Sequence, residues 1–294
     1  MSRGYSQMSL RVPITPMVRR IMLINVGIYA LCVGAFSFKA QGTFDWLSQT
    51  LYLHPPSVVA ENKYWMIATY AWFHDIGALP WLSLLICAGV VYGFIRLFYS
   101  QWARREPMLF WIAAFFAMML IGSTGFGAPL HLGGNLIGLY FFGHLFEKRW
   151  GDRRFLLFWI LCTVAGGVFE TLVHLWWARE TVILGSSAGV LGLLAAFSVY
   201  HPNDQVLYGM VVPIKGKYFI WIAIAFDLLG FMGNSRVAIF AHLGGIIMGV
   251  LLTTGYWRPG KAMKRLGIKT AKKKSSHLRV VPPPDDDEPP RYLH

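Results

Sequence analysis

Apolar residues dominate this chain in long runs separated by short polar segments. Eight runs approach the roughly 20 apolar residues that a membrane-spanning helix needs, at 20–39, 77–98, 108–124, 130–147, 155–178, 187–200, 217–233 and 238–256. Between the first two, the mixed segment 40–76 contains the aromatic-rich stretch YWMIATYAWFH. Trp and Tyr favour the membrane–water boundary, so we expect this segment to lie there. The pattern predicts an all-α, polytopic membrane helix bundle.

Composition and charge support this reading and add an orientation. Only 14% of the 294 residues are charged, against about 25% in soluble domains. With the N-terminus inside and eight spans, the inner segments hold 22 of the 27 Lys and Arg residues. Basic residues concentrate on the cytoplasmic side, which predicts that both termini are cytoplasmic. We expect the protein to lie in the inner or plasma membrane of the cell.

The predicted spans divide the chain into three parts. Residues 1–18 form a cytoplasmic N-terminal segment, 19–256 the membrane domain, and 257–294 a tail that combines the basic KAMKRLGIKTAKKK with the proline-rich PPPDDDEPP. We expect the tail to be disordered. Its lysines are expected to meet anionic lipid headgroups, and no nucleic-acid partner is predicted.

The run that begins near Ser187 is unusually short. It must stop by His201, where HPND breaks the helix. The resulting helix is about 21 Å long at 1.5 Å per residue, against a hydrocarbon core of about 30 Å. Irregular backbone within that core is tolerated only inside protein or beside a water-filled cavity. The GSSAG stretch, with Ser186 and Ser187, is therefore predicted to line a recessed pocket that opens outward.

Four polar residues fall on the outer halves of three spans. They are Ser187, His242, His131 and Asn135. Each has an ordinary structural interpretation: a helix-packing serine, a structural histidine, or a pair that hydrogen-bonds neighbouring helices. Together they fit acyl transfer, because a serine nucleophile needs a base and the oxyanion needs donors. An imidazole within hydrogen-bond reach would be the usual base, and the candidate donors are the Ser187 N–H and the His131 and Asn135 side chains.

The motifs HLGGN, GSSAG and AHLGGIIMG, in this order on separate spans, resemble the rhomboid intramembrane serine proteases. The resemblance covers about 130–256 and extends to Gly143, Glu147, Gly151 and the FDLLG stretch around Asp227. It implies a six-helix core, with two extra spans inserted at 77–124. It also implies a dyad without a carboxylate, in which Ser187 is the nucleophile and His242 the base. His131, Asn135 and the Ser187 N–H would form the oxyanion site.

Glycines surround these residues, and we expect them to allow close helix packing. Gly185 and Gly189 flank the serines, and Gly245 and Gly249 share the face of His242. Ala188 followed by Gly189 departs from the family pattern, in which glycine comes directly after the serine.

Three further polar residues leave alternatives open. Ser186 is expected to be a helix N-cap. Glu170 and His174 form either a buried hydrogen-bonded pair or a proton relay. Asp227 is expected to bond a neighbouring helix or an internal water.

The resemblance implies a serine-type endopeptidase that hydrolyses peptide bonds in or near transmembrane helices of other proteins within the lipid bilayer. Substrates should carry helix-weakening Gly or Pro and a small residue at the cleavage site. No metal, nucleotide or other cofactor is implied. The alternative is a non-proteolytic rhomboid-like protein that binds and escorts membrane helices. Such proteins generally lose the serine or the histidine, and this chain has both.

Overall fold

The computed structural model describes residues 14–38, 41–76, 128–177, 182–208, 212–232 and 238–256. The predicted spans at 77–98 and 108–124, the tail 257–294 and most of segment 1–18 lie outside the described residues. The described part is mostly helical, as the hydrophobic pattern predicts.

The first half of the described chain contains one long helix and several short ones. They are α1 (Pro16–Ser37), α2 (Gln41–Leu51), α3 (Pro55–Ala60), α4 (Met66–Thr69) and a 3₁₀ turn (Tyr70–Trp72). The next helix begins as α5 (Ala128–Gly138), passes through a π-helical turn (Leu139–Gly143) and continues as α6 (His144–Trp150). The predicted run 130–147 thus forms a single helical stretch with a local change of winding.

The second half carries the remaining long helices. They are α7 (Asp152–Trp176), α8 (Ser187–Tyr200), α9 (Phe219–Met232) and α10 (Ile239–Thr254). Between α8 and α9 lie an antiparallel hairpin of β1 (Gln205–Tyr208) and β2 (Val212–Lys215) and a 3₁₀ turn (Gly216–Tyr218). The hairpin was not predicted. It occupies the loop that begins with HPND and links α8 to α9.

Local sequence explains where these helices end. Pro202 disfavours helical backbone at His201, and α8 accordingly ends at Tyr200. Gly151 has a φ of 80°, which glycine adopts without strain, and it separates α6 from α7. The predicted helix 187–200 is confirmed at both ends, with 14 residues. Among the described helices, α1 and α7 are long and apolar enough to cross a membrane.

Helices α7, α8 and α10 form the centre of the structure. Every residue of α8 from Ser187 to Ser198 is buried. Small residues line the contacts of this helix with α10: a Cβ on Gly249 would lie 2.5 Å from the Gly192 carbonyl oxygen, and Gly245 is equally tight against Ala188. Close backbone approach of this kind fixes the relative height of α8 and α10.

The start of α1 is capped by a residue distant in sequence. Glu147 on α6 is 5% exposed and accepts hydrogen bonds from the Met17 and Val18 N–H groups at 2.8 Å and from the Thr15 hydroxyl at 2.5 Å. These backbone N–H groups belong to the first turn, where a helix offers no acceptor of its own. Glu147 thereby ties α6 to α1.

Candidate active site

The loop before α8 is held by backbone bonds to the segment between α1 and α5. Leu53 and Ile183 exchange two N–H···O bonds of 3.0 and 2.9 Å, and the Gly185 N–H donates to the Tyr70 carbonyl at 3.1 Å. Gly185 has a φ of 114°, a conformation that side chains disfavour. The chain therefore enters α8 along a fixed path, and the first helical residue is Ser187.

Ser187 and His242 meet at the beginnings of their helices. The Ser187 Oγ lies 2.7 Å from the His242 Nε2, and both residues are buried. A neutral imidazole nitrogen without hydrogen accepts from a hydroxyl, and this is the arrangement that activates a serine. The structure thus brings together two residues that are 55 positions apart in sequence.

The glycines predicted to allow close packing do so, but toward different partners. Gly245 faces the backbone of Ala188, directly after the serine, and Gly185 faces the ring of His131. Gly189 lies against α7, where a Cβ would be 2.5 Å from the Trp159 Nε1. Of these four glycines, Gly245 and Gly249 lie between the two helices that carry Ser187 and His242.

Asp227 adds a carboxylate to the surroundings of His242. Both of its carboxylate oxygens lie 2.9 Å from the His242 Nδ1. Asp227 thus bonds a neighbouring helix, as expected, and its partner there is the imidazole of His242, beside which the resemblance implied no carboxylate. Asp227 stands in the second half of α9 and His242 in the first turn of α10. Consecutive helices bring the two residues to the same level. A single acid inside an apolar helix indicates a polar partner, but the sequence alone does not say which one.

Glu170 supports the same turn of α10. Its Oε2 accepts the Ala241 N–H at 3.0 Å, and its side chain is buried on α7. This is a capping bond to the residue next to His242, and the expected pairing of Glu170 with His174 stays a prediction.

Ser186 occupies the N-cap position of α8, but its side chain makes no capping hydrogen bond. Ser186 is therefore the N-cap residue, as expected, but its hydroxyl does not cap a backbone N–H.

The two remaining site residues lie on α5. The imidazole of His131 packs on Gly185, in the loop that leads into Ser187. The Asn135 Nδ2 donates to the His131 carbonyl at 3.0 Å and faces the His74 Nε2 at 3.3 Å. An amide nitrogen carries two hydrogens, so both are engaged in the resting structure.

His74 was missed as a site residue. It comes just after the 3₁₀ turn in the segment between α1 and α5, and its ring centroid is 5.3 Å from that of His131. Burial lowers the pKa of His74 well below 6.5, and the neighbouring His131 lowers it further. Neutral His74 can accept from Asn135 through Nε2. Its buried Nδ1 has no hydrogen-bond partner among the described residues.

Among the described residues, no group of three or more His, Cys, Asp or Glu side chains is placed to hold a metal ion.

A sequence model of the Rhomboid domain matches residues 111–259. The match includes every helix from α5 to α10, and therefore Ser187, His242, His131 and Asn135. It begins within the predicted run 108–124. Neither the comparison with curated proteins nor that with solved structures gave a match.

Proposed function

This chain belongs to the rhomboid family, and we propose that it is an active intramembrane serine protease. Rhomboid proteins are integral membrane proteins, and most are serine proteases that act on transmembrane substrates. The observation that carries the proposal is the 2.7 Å contact between the Ser187 Oγ and the His242 Nε2. A protein that only binds helices has no need of a hydroxyl and an imidazole in this buried contact.

In the proposed reaction, the Ser187 oxygen attacks the carbonyl carbon of the scissile peptide while its proton moves to the His242 Nε2. The tetrahedral intermediate collapses when His242 returns that proton to the leaving nitrogen, which departs as an amine. Water then gives a proton to His242 and attacks the acyl-enzyme. The second intermediate collapses when His242 passes that proton to the Ser187 oxygen, which releases a free carboxylic acid and restores the Ser187 hydroxyl.

The negative charge on the former carbonyl oxygen needs donors. The Ser187 N–H belongs to the first turn of α8, so it has no acceptor within the helix, and the positive end of the helix dipole favours an anion there. Asn135 must exchange its 3.3 Å bond to the His74 Nε2 for a bond to the oxyanion. That bond is the longer of its two, and we propose that it is the one given up. His131, against Gly185, supplies a further donor.

The short length of α8 supports the proposal of an outward-facing cavity. We propose that the chain crosses the membrane several times, with both termini cytoplasmic, as the distribution of basic residues predicts. Because α8 has only 14 residues, its first residue then lies below the outer surface, where water and an unwound substrate segment can both reach it. Transmembrane proteins whose helices are weakened by Gly or Pro are the proposed substrates.

The test is hydrolysis by the detergent-purified protein of a purified single-span substrate. Ser187→Ala should abolish turnover and labelling by a fluorophosphonate probe, whereas Ser186→Ala should keep most of both. Ser198→Ala is the matched control: this serine is buried on the same helix, and its hydroxyl bonds the Leu194 carbonyl at 3.1 Å. Wild-type turnover in Ser187→Ala would overturn the proposal. So would a wild-type protein that binds the substrate without cleaving it, the behaviour of a helix-binding escort.

A further inference from the structure

We propose that Asp227 is a positioning residue for the reaction and extends the site to a Ser187–His242–Asp227 triad. The inference rests on the proposed function, which by family resemblance needs only the serine and the histidine. Three side chains from three different helices, α8, α10 and α9, then form one hydrogen-bonded chain.

The geometry assigns the hydrogens on the imidazole. A carboxylate only accepts hydrogen bonds, so the His242 Nδ1, with both Asp227 oxygens at 2.9 Å, must carry the hydrogen. A neutral imidazole then has its lone pair on Nε2, the nitrogen that lies 2.7 Å from the Ser187 Oγ. Asp227 therefore holds His242 in the one tautomer that can take the serine proton.

Both residues of this contact are buried, so Asp227 would be strongly destabilising without its partner. Asp227 is 3% exposed and His242 6% exposed, and Asp227 is the only charged residue in the α9 sequence FIWIAIAFDLLGFM. A buried carboxylate without a partner is strongly unfavourable, and polar groups inside membrane segments mark functional sites by default. Among the described residues, the other ionisable groups around the site include Glu170, which caps α10 through Ala241, and His131 on α5 with its neighbour His74.

The carboxylate also matters once the reaction starts. When Nε2 takes the serine proton, His242 becomes an imidazolium, and the adjacent negative charge of Asp227 stabilises it without itself taking a proton. An asparagine would behave differently, because its amide N–H donates to Nδ1 and moves the imidazole hydrogen to Nε2. That tautomer cannot accept from Ser187.

Asp227→Asn separates this role from a purely structural one. The amide keeps the size of the side chain and one hydrogen bond between α9 and α10. In soluble serine proteases the equivalent change lowers kcat by about 10⁴. We expect a loss of at least about 100-fold in kcat here, with KM and the thermal unfolding temperature close to wild type. Asp204→Asn is the matched control, since Asp204 contacts the His201 Nδ1 at 2.7 Å at the opposite end of α8 and is exposed.

The imidazole itself gives a readout that a structural role would not change. The ¹⁵N spectrum of wild-type His242 should show hydrogen on Nδ1 and none on Nε2, and Asp227→Asn should move it to Nε2. Asp227→Glu, which restores a carboxylate, should recover the Nδ1–H form and part of the turnover.

Each result bears on one proposal or both. A hydrogen on the Nε2 of wild-type His242, or Asp227→Asn turnover within about threefold of wild type, would overturn the triad while the protease assignment stands. So would an Asp227→Glu variant that recovers neither the tautomer nor any turnover. If wild-type protein neither cleaves substrate nor reacts with the fluorophosphonate, the proposed function fails, and the triad with it.

Discussion

Replacing Gly245 by alanine should separate the serine from its base by a calculable amount. A Cβ at this position would lie well under 3.0 Å from the Ala188 carbonyl oxygen, 2.8 Å from the carbonyl carbon and 2.9 Å from the Cα. Backbone atoms cannot rotate away as a side chain can. We therefore expect α10 to move from α8 by about 1 Å, the distance that restores ordinary van der Waals contact.

That displacement acts directly on the reacting atoms. Gly245 is three residues past His242, on the same helix face, and Ala188 is next to Ser187. An Oγ–Nε2 distance of 2.7 Å would lengthen to roughly 3.5 Å or more, where a side-chain hydrogen bond is lost. A misplacement of about 1 Å costs on the order of 100-fold in rate. Overpacking costs about 1–3 kcal/mol of folding stability, and alanine returns up to about 1 kcal/mol of helix propensity, so the protein should still fold.

The assay compares kcat, fluorophosphonate labelling and thermal unfolding in Gly245→Ala, Gly249→Ala and Gly34→Ala. Gly249 is equally blocked by Gly192 but lies one turn further from His242, so its loss should be smaller. Gly34 on α1 has open space around it and should keep full activity. Wild-type turnover and labelling in Gly245→Ala would refute the argument that this glycine sets the distance between Ser187 and His242.

Three further expectations follow from contacts in and around the site. Asn135→Ala should lower kcat roughly 20- to 150-fold with KM little changed, because a donor worth about 2.7–4 kcal/mol first gives up a bond of about 1 kcal/mol. His74→Phe, which removes the competing acceptor, should not lower kcat. The pKa of buried His74 lies well below 6.5, so wild-type stability should fall as pH drops below about 6.5, and a pH series of unfolding curves should show a smaller fall in His74→Phe. Glu147→Ala should lower the free energy of unfolding by about 2–4 kcal/mol in denaturant titrations, since three donors lose their acceptor. Turnover in Asn135→Ala at the wild-type rate, an unchanged pH series in His74→Phe or undiminished stability in Glu147→Ala would contradict the corresponding expectation.

Most of the helices could be predicted from the sequence, because local hydrophobic patterns and helix breaks encode them. Both ends of α8 follow from a serine pair after glycine and from the HPND break. Ser187 and His242 were paired through the resemblance of GSSAG and AHLGGIIMG to the rhomboid motifs. The i, i+4 spacing of His131 and Asn135 placed them on one face of α5.

Other parts of the site depend on contacts that no local pattern encodes. The exchange of backbone bonds between Leu53 and Ile183 joins residues 130 positions apart and uses groups that every residue carries. His74 stands in an aromatic stretch that resembles an interfacial segment. The partner of Asp227 could not be chosen from periodicity, because the rotation of α9 relative to α10 is set by packing.

The cap on α1 has a consequence for the order of assembly during synthesis. Thr15 and Glu147 are separated by 132 residues, and ribosomes add about 5–20 residues per second. The first helix therefore exists for roughly 7–26 s before the carboxylate that satisfies its first turn has been made. Until then, water must solvate those N–H groups, which keeps the start of α1 at the membrane surface. The final position of α1 is fixed only after α6 has been made. A helix that is synthesised before most of the others therefore reaches its final position late.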